Sequence, residues 1–474
     1  MLQVTMTRAS LHQFVFVYLL SSATLPGKVE LATTQCNTAV ANLQVSADTT
    51  CFLVPGVYSF SSVDISGTVE VQPQAGTDRT VTIVSSSSFL VNSSGKLLAD
   101  GAGDIAGQGL GMGNSMGSGG GHGGRGGNSA SVIFSSRSES AAYGSVQAPV
   151  MTGSGGGGMN GGAGGGAFRL QVTNTITILG MISANGVDAG NGNCGGGSGG
   201  SILIEAGVIT GSGILSARGG RGSGTGGGGS GGRISLIHGI SSFSGKTFTD
   251  GGMGGLDETK LTISSLGVSS YSTYDKNYGN IDYSSTDSWQ TTTSGSQWLD
   301  VTLNANYYVT AIETRGDPGT IYYVKTYTIE YYNSTSLDST VLSSENGIMT
   351  GNTDSSSIVK QKFFRPVYTN RLRVKPSTFN DRIGLAVRFY GYSPFPNSWY
   401  PKGDCGSPSR GGAGGPGTVY YKQRDTGSSR LIVDNFGKNP HIAMDTSCTK
   451  LDAIKQGAAA WIDDGSNLEI TDIF

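Results

Sequence analysis

Side chains suited to recognition of a hydroxyl-rich ligand are concentrated between residues 274 and 354. The candidates are aromatic rings, carboxylates, an arginine and an amide, namely Tyr274, Asp275, Trp289, Arg315, Asp317, Tyr322, Asn352 and Asp354. Arginine and carboxylate groups form paired hydrogen bonds, and an aromatic ring packs against the C–H face of a sugar. This combination predicts a ligand-binding site, with glycans as the favoured ligand.

Catalytic chemistry is not expected elsewhere in the chain. Polysaccharide-cleaving enzymes need carboxylates and bases that converge on one face. Between residues 101 and 250 the carboxylates are few and follow no common spacing: Asp104, Glu139, Asp188, Glu205 and Asp250. The sequence therefore predicts no enzyme activity and no cofactor.

Charge and composition exclude nucleic acid as the expected partner. The chain has 31 basic and 33 acidic residues among 474, so its net charge is close to zero. It contains no basic block and no zinc-ligand spacing. Both are expected of nucleic-acid-binding proteins.

The amino terminus predicts export. Arg8 precedes a short apolar run over residues 11–20 and a small-residue stretch that ends at Ala23, which is the pattern of a secretory signal peptide over residues 1–23. Sequons at Asn92 and Asn333 predict N-glycosylation. We therefore expect a secreted or cell-surface protein.

Five cysteines fit an oxidising compartment. Their order predicts one disulfide between Cys36 and Cys51 and another between Cys405 and Cys448. Cys194 is left unpaired inside a glycine tract.

The region from 167 to 255 repeats. Short apolar strands alternate with glycine tracts, and matching residues lie 32 or 33 positions apart, as in Ile202 and Ile234 or Gly186 and Gly219. A fixed period of this size is typical of a solenoid, and short β-branched strands favour one β-helix coil per repeat. The sequence predicts an all-β chain built on a glycine-rich right-handed parallel β-helix.

Glycine dominates this part of the chain. Of 78 glycines, 53 lie between residues 101 and 255. We interpret the tracts as long loops between ordered strands; a low-complexity disordered segment is the alternative. For residues 101–166 an elaborate loop and local disorder both remain open.

A second domain interrupts the repeat. Glycine becomes scarce after residue 255, and the glycine pattern resumes at 411–417, followed by a strand at 418–422. Loop tips tolerate inserted domains. The predicted organisation is a signal peptide (1–23), a first β-helix part (24–256), an inserted domain (257–395) and a continued β-helix part (396–474).

The inserted segment resembles the discoidin family, also called the factor five/eight type C or galactose-binding-like family. The motifs occur in the family's order across nearly the whole segment: Leu266-Gly-Val-Ser269, Asp287-Ser-Trp289, Gln297-Trp-Leu-Asp-Val-Thr-Leu303, Val309-Thr-Ala-Ile-Glu-Thr-Arg-Gly316, Tyr323–Tyr331, Gly351-Asn-Thr-Asp354, Phe363-Phe-Arg-Pro366, Arg371–Pro376 and Phe389-Tyr-Gly391. The resemblance implies an eight-stranded jelly-roll sandwich whose loops at one end bind ligand. It also implies that Trp298, Tyr327 and Phe363 lie in the core.

Two departures from the family pattern matter. The positions near Thr262 and at Tyr392 carry no cysteine, so the domain has to be closed by strand pairing or by the β-helix holding both of its ends. Ala386 and Arg388 stand where the family has an arginine and a glutamate, which implies a lost or rearranged ion pair and puts a calcium site in doubt.

The resemblance implies sugar, anionic lipid or protein as ligand. The family has a glycine turn at Arg315-Gly-Asp317, so we favour a sugar-binding loop there over integrin-type adhesion. Acidic and amide-rich loops disfavour anionic phospholipid. We predict an adhesion protein that binds glycans on cells or matrix. The alternatives are a structural wall or matrix protein without ligand and a polysaccharide-active enzyme.

Overall fold

The computed structural model describes residues 34–73, 79–129, 140–255, 259–270, 276–291, 296–333, 336–341, 348–392 and 414–433. The predicted signal peptide, the predicted Cys405–Cys448 pair, Tyr274 and Asp275 lie outside these residues, and so does the side chain of Asn333. The described chain is all-β, apart from one 3-10 turn at Lys276–Gly279. It contains no helix long and apolar enough to cross a membrane.

Fourteen strands belong to the glycine-rich region, which we define as the described residues 34–255 and 414–433. They are β1 (Asn42–Val45), β2 (Thr50–Leu53), β3 (Gly56–Ile65), β4 (Thr68–Val71), β5 (Thr80–Val91), β6 (Lys96–Leu98), β7 (Ala167–Ile178), β8 (Met181–Ser183), β9 (Ser201–Gly211), β10 (Ile214–Ser216), β11 (Arg233–Phe243), β12 (Lys246–Phe248), β22 (Thr418–Gln423) and β23 (Ser429–Ile432).

These strands alternate between two sheets. The long strands form an eight-stranded sheet in the order β1-β3-β5-β7-β9-β11-β22-β23, and the short strands form a six-stranded sheet in the order β12-β10-β8-β6-β4-β2. All pairings are parallel except β22 with β23. Ile202 pairs with Ile234, and Ile182 pairs with Leu215, so the predicted repeat spacing is the observed register.

A single apolar core lies between the two sheets. Inward-facing valine, isoleucine and leucine side chains stack from strand to strand, as in Ile83, Leu170, Ile204 and Leu236, all fully buried. Strands buried in this way read as β-branched and apolar, which explains the sequence pattern. The alternation of sheets places one long and one short strand in each repeat.

The glycine tracts are packed, not loose. They lie over residues 101–129, 153–166, 186–200, 219–232, 251–255 and 414–417, and we call them the glycine bundle. Gly196 donates to Gly227 O (2.9 Å) and accepts from Gly120 N (2.9 Å), so one tract bonds to two different neighbours. Within the described residues, the tracts are therefore loops that hydrogen-bond to one another.

Glycine is required because the backbones touch. A Cβ at Gly197 would lie 2.0 Å from Ala163 O, and one at Gly229 would lie 2.0 Å from Gly197 O. No side chain fits at such a separation. Backbone N–H and C=O groups that would lack protein partners in an open loop are hydrogen-bonded inside the bundle.

The amino-terminal end is closed by the predicted Cys36–Cys51 disulfide, which is confirmed. Gln35 also bridges to Phe52, so a short segment covers the edge of the six-stranded sheet. Cys194 is a free, buried cysteine. At the predicted glycosylation site Asn92, Nδ2 donates to Asp64 and Ser66.

Nine strands form the β-sandwich over residues 259–392. They are β13 (Thr259–Lys260), β14 (Ile263–Val268), β15 (Trp289–Thr291), β16 (Leu299–Arg315), β17 (Tyr323–Asn333), β18 (Ser336–Val341), β19 (Met349–Thr350), β20 (Val359–Asn380) and β21 (Ile383–Tyr392). The main path runs β13-β21-β16-β20-β17-β18, and all pairs are antiparallel. The resemblance implied eight strands; the structure has nine, of which β13, β15 and β19 are only two or three residues long.

Two long strands join the layers of the sandwich. The first part of β16 pairs with β14 and with the end of β20, whereas its last part pairs with β21 and the start of β20. The enclosed core contains Trp289, Tyr327, Phe363 and Phe389. Pairing of β13 with β21 closes the domain without a disulfide, as expected.

The two regions meet at the start of β20. Arg221 donates to Phe363 O, and Lys362 Nζ lies 3.4 Å from Asp188 Oδ2. Asp188 also accepts from the backbone N of Arg221 (2.8 Å). One turn of the glycine-rich region therefore contacts one strand of the sandwich.

Candidate functional site

Four loops gather at one end of the β-sandwich. They comprise residues 284–288, 316–322, 351–358 and 380–382, and we call this surface the loop end. Asn380 Nδ2 donates to Ile321 O (3.0 Å), and Ser355 Oγ donates to Thr320 O (2.6 Å). These contacts tie three of the loops to one another.

The buried side chain of Arg315 holds one loop of the loop end in place by hydrogen bonds. Its side chain is buried, and its guanidinium donates to the carbonyl oxygens of Ser285 (2.8 Å), Ser284 (3.0 Å) and Asp287 (2.6 Å). The sequence predicted a ligand contact here, and the structure differs. The N–H donors of the guanidinium are occupied by backbone oxygens of the 284–288 loop.

Asp317 is also internal. Its carboxylate accepts from Ser288 N (3.0 Å) and Ser288 Oγ (3.2 Å), and its side chain is buried. Arg315 and Asp317 therefore both hold the 284–288 loop. An integrin could not reach either side chain in this fold, so the Arg-Gly-Asp tripeptide is a structural turn.

Trp289 is the largest fully buried side chain of the described residues. Its indole Nε1 donates to Ser270 O (2.8 Å). The prediction that Trp289 faces ligand is therefore not supported, because β15 directs the ring into the core.

The 351–358 loop is held by Asn352. Its Nδ2 donates to Thr314 O (3.1 Å) and Ser357 O (2.7 Å), and the side chain is buried. Beside it, Asp354 accepts from Ser357 N (2.6 Å) and Ser356 N (2.8 Å). The hydrogen bonds from Ser357 and Ser356 lower the pKa of Asp354 to about 2, so this carboxylate is charged at neutral pH.

Of the predicted contacts within the described residues, Tyr322 and Asp354 remain accessible. Arg382, which the sequence reading missed, lies with its guanidinium carbon 5.4 Å from the centre of the Tyr322 ring. Arg382 is exposed, and Tyr322 is half-buried. A planar ring beside a cation and a nearby carboxylate is an arrangement that can bind sugar hydroxyls.

Apolar side chains also reach solvent at the loop end. Ile321 is 61 % exposed, Ile358 48 % and Phe379 42 %. Because these loops are acidic and amide-rich, the sequence disfavours a lipid-binding surface, and it does not reveal that Ile321 and Phe379 are exposed.

A second aromatic cluster lies on the outer face of the sandwich. The Arg373 guanidinium stacks 4.2 Å from the centre of the Trp298 ring and bonds Asp300 through two donors (2.6 and 3.0 Å). Arg371 stacks on Tyr332 (4.0 Å) and also bonds Asp300 (2.7 Å). Trp298 is half-buried on this face, so the implied core position is wrong, whereas Tyr327 and Phe363 are core residues as expected.

The ion pair expected from the family pattern is rearranged. Arg388 on β21 bonds Glu313 (2.8 Å) and Asp282 (2.5 Å). The pKa of Asp282 is lowered by its hydrogen bonds to Arg388 and Lys260, which outweigh the raising effect of burial. Among the described residues, no group of three His, Cys, Asp or Glu side chains is arranged to hold a metal ion.

Comparison with known families bears on residues 262–389, which match the model of the F5/8 type C domain. These residues form an F5/8 type C domain. The match covers most of the β-sandwich.

Curated relatives match this chain over part of its length. Coagulation factor V of Pseudonaja textilis is 29 % identical over 151 residues, which is 30 % of this chain and 10 % of that protein. Neuropilin-1 of Xenopus laevis is 32 % identical over 101 residues, covering 20 % of this chain and 11 % of that protein. The chain thus spans about a tenth of the length of these curated relatives.

Two solved structures are also similar to this chain over less than a third of its length. Discoidin II of Dictyostelium discoideum is 20 % identical, with a TM-score of 0.24, over 29 % of this chain and 58 % of that one. The family 32 CBM from C. perfringens NanJ in complex with galactose is 17 % identical, with a TM-score of 0.24, over 28 % of this chain and 98 % of that one.

Proposed function

We propose that this chain is an extracellular, non-catalytic binding protein whose F5/8 type C domain binds glycans on cells or matrix. In this proposal the glycine-rich region is a right-handed parallel β-helix that displays the domain. Support for an extracellular location comes from the predicted signal peptide and from the family's occurrence in coagulation factor V and neuropilin-1.

The observation that carries the proposal is the braced loop end. The side chains of Arg315, Asp317 and Asn352 form internal hydrogen bonds. The loops that these side chains hold are therefore positioned before a ligand binds. A preorganised surface loses little conformational entropy on binding. Tyr322 and Arg382 stand on this surface as the ring and the donor for a sugar.

The residues of the loop end fall into two groups, those that can contact a ligand and those that hold the loops in position. Tyr322, Arg382 and Asp354 are assigned to ligand contact. Arg315 and Asn352 are assigned to positioning, because neither side chain reaches solvent. Weak individual sites of this kind become effective when many copies are displayed on one surface.

The test is a glycan array probed with the full chain, followed by titration of any hit. We expect Tyr322→Ala or Arg382→Ala to weaken binding about tenfold or more, in line with the loss of a stacking or charged contact of about 1.4 kcal/mol. Tyr308→Ala is the matched control, since Tyr308 is an exposed tyrosine further back along β16. Binding that survives both loop-end substitutions would refute this site.

Membrane binding is the second candidate, and the exposed apolar side chains favour it. Ile321 and Phe379 stand near the cation Arg382, a combination that suits insertion into an anionic lipid surface. Flotation with phosphatidylserine vesicles separates the two functions. Ile321→Ser with Phe379→Ser should abolish lipid binding and leave glycan binding unchanged; vesicle binding without any glycan hit would replace the sugar proposal.

The absence of catalysis is also part of the proposal. Incubation with pectins, alginates and glycosaminoglycans, followed by an assay for reducing ends and unsaturated products, should give no signal above the blank. Turnover would restore the enzyme alternative.

A further inference from the structure

A fully buried arginine lies in the glycine-rich region, far from the loop end in sequence. Arg233 is the first residue of β11, and its side chain is 0 % exposed. Its Nε donates to Tyr143 O (3.0 Å) and its Nη1 to Thr418 Oγ1 (3.2 Å), whereas Nη2 has no hydrogen-bond partner. Among the described residues no carboxylate pairs with it. A buried cation without a counter-charge is costly, so the site calls for an anion.

A fully buried histidine lies close by. The His122 ring is 0 % exposed and packs on Tyr143, with ring centres 4.7 Å apart. Its Nδ1 lies 2.8 Å from Gly199 O, which can only accept, so Nδ1 carries the proton and Nε2 presents a lone pair. Nε2 is buried and has no partner. Burial lowers the pKa of His122 to about 3, and nearby Arg233 acts in the same direction. The ring is therefore neutral at physiological pH.

Gly144 borders both groups and places no side chain between them. A Cβ placed on Gly144 would lie 3.4 Å from His122 Nε2, 3.6 Å from Met151 Sδ and 3.8 Å from Arg233 Nε. Gly144 has a φ of 81°, a conformation that favours glycine. It is also partly exposed, so a small molecule can approach from this side.

The two orphaned atoms define the chemistry of the occupant. Arg233 Nη2 donates and carries charge, so the occupant needs a negatively charged acceptor. His122 Nε2 accepts, so the occupant also needs a proton to donate. We propose that Arg233, His122 and Gly144 form a site for a small oxyanion that carries a proton, such as hydrogencarbonate. The anion ties the 140–151 segment to the glycine bundle and to β11.

The test compares hydrogencarbonate with nitrate, a planar anion of the same charge and similar size that lacks the proton. Thermal unfolding of the full chain is followed at pH 8 and constant ionic strength. A ligand at about ten times its Kd should raise the melting temperature by about 3 °C. We expect this rise with hydrogencarbonate and not with nitrate.

Two substitutions locate the effect. Arg233→Gln should abolish the difference between the two anions, whereas the control Arg169→Gln should keep it, because Arg169 lies on the same sheet and pairs with Glu205. If Arg233→Gln does not fold, His122→Phe must abolish the difference instead, since it retains the ring against Tyr143. Equal shifts with both anions would show unspecific anion stabilisation and overturn the proposal. Absence of any shift would show that the site holds water only, which would also overturn it.

Discussion

The glycine-rich region and the F5/8 type C domain satisfy their backbones in opposite ways. In the glycine bundle, peptide groups bond to peptide groups of neighbouring tracts, and Gly196 does so on two sides. At the loop end, side chains do this work, as when Arg315 donates to three carbonyl oxygens of one loop. Backbone packing leaves no room for a side chain at glycines such as Gly197 and Gly229, whereas the loop end depends on the hydrogen bonds of a few side chains.

This contrast explains where each region tolerates change. In the bundle, a Cβ added at Gly197, Gly200 or Gly229 would lie 2.0 Å or less from a carbonyl oxygen, which is too close for any side chain. At the loop end, surface residues can vary while the internal braces remain. Variation of ligand contacts over a fixed frame is what a recognition surface requires.

The largest expected effect is Gly197→Ala. Its Cβ would lie 2.0 Å from Ala163 O, so the two tracts must separate and lose several hydrogen bonds. We expect a loss of more than about 5 kcal/mol in the free energy of unfolding of the glycine-rich region. Calorimetry checks this. The matched control Gly267→Ala lies in the sandwich, where the nearest atom to the added Cβ is 3.5 Å away, and it should change little.

Phe389→Ala breaks the other region. Phe389 is fully buried in the sandwich core, where it packs edge-on against Phe363. Loss of the ring should destabilise the F5/8 type C domain by about 4 kcal/mol. If the regions fold as separate domains, calorimetry should show a lowered sandwich transition beside an unchanged transition of the glycine-rich region. A shift of both transitions would contradict the predicted domain boundaries.

Removal of the Cys36–Cys51 disulfide tests what stabilises the amino-terminal end of the glycine-rich region. The bridge closes a loop with a sequence separation of 15, for which chain entropy gives about 3 kcal/mol. We expect Cys36→Ser with Cys51→Ser to lower the stability of the glycine-rich region by about this amount. Hydrogen exchange should show faster opening of β1 and β2 than of β9; uniform exchange would contradict a local cap.

The smallest expected effect concerns the contact between the regions. Lys362 and Asp188 are each about half exposed, so solvent screens their ion pair. Lys362→Ala should cost less than about 1 kcal/mol. Limited proteolysis with and without this substitution measures the coupling, and Lys360→Ala on the same strand is the control. A large loss on Lys362→Ala alone would mean that the two regions form one cooperative unit.

The repeat and the strand positions were predictable because they follow from periodicity. Ile202 and Ile234 repeat at the coil spacing, and the register pairs them. Periodicity did not predict whether the glycine tracts are packed against one another or disordered. A tract such as 195–200 has one residue other than glycine, Ser198, and its order depends on Gly120 and Gly227, which are distant in sequence.

The loop end shows a different limit. Arg315, Asp317, Asn352 and Trp289 have the residue types of a binding site, yet all four point inward. Polar residues in loops bind ligands or bind the loops themselves, and composition does not distinguish these roles. Trp298 shows the converse, because stacking by Arg373 keeps an aromatic ring on the outer face.

The hydrogen bond from Gly414 N to Gly252 O (2.8 Å) joins residues on either side of the whole F5/8 type C domain. The chain leaves the bundle before the domain and returns to it after the domain at hydrogen-bonded neighbouring positions. The packing of the bundle at this point therefore does not depend on the intervening chain. During evolution, another domain could therefore replace the F5/8 type C domain between these glycines without changes in the glycine-rich region. A chain in which a short glycine linker replaces residues 257–412 should fold, and unrelated domains whose ends lie close together should be accepted in the same place.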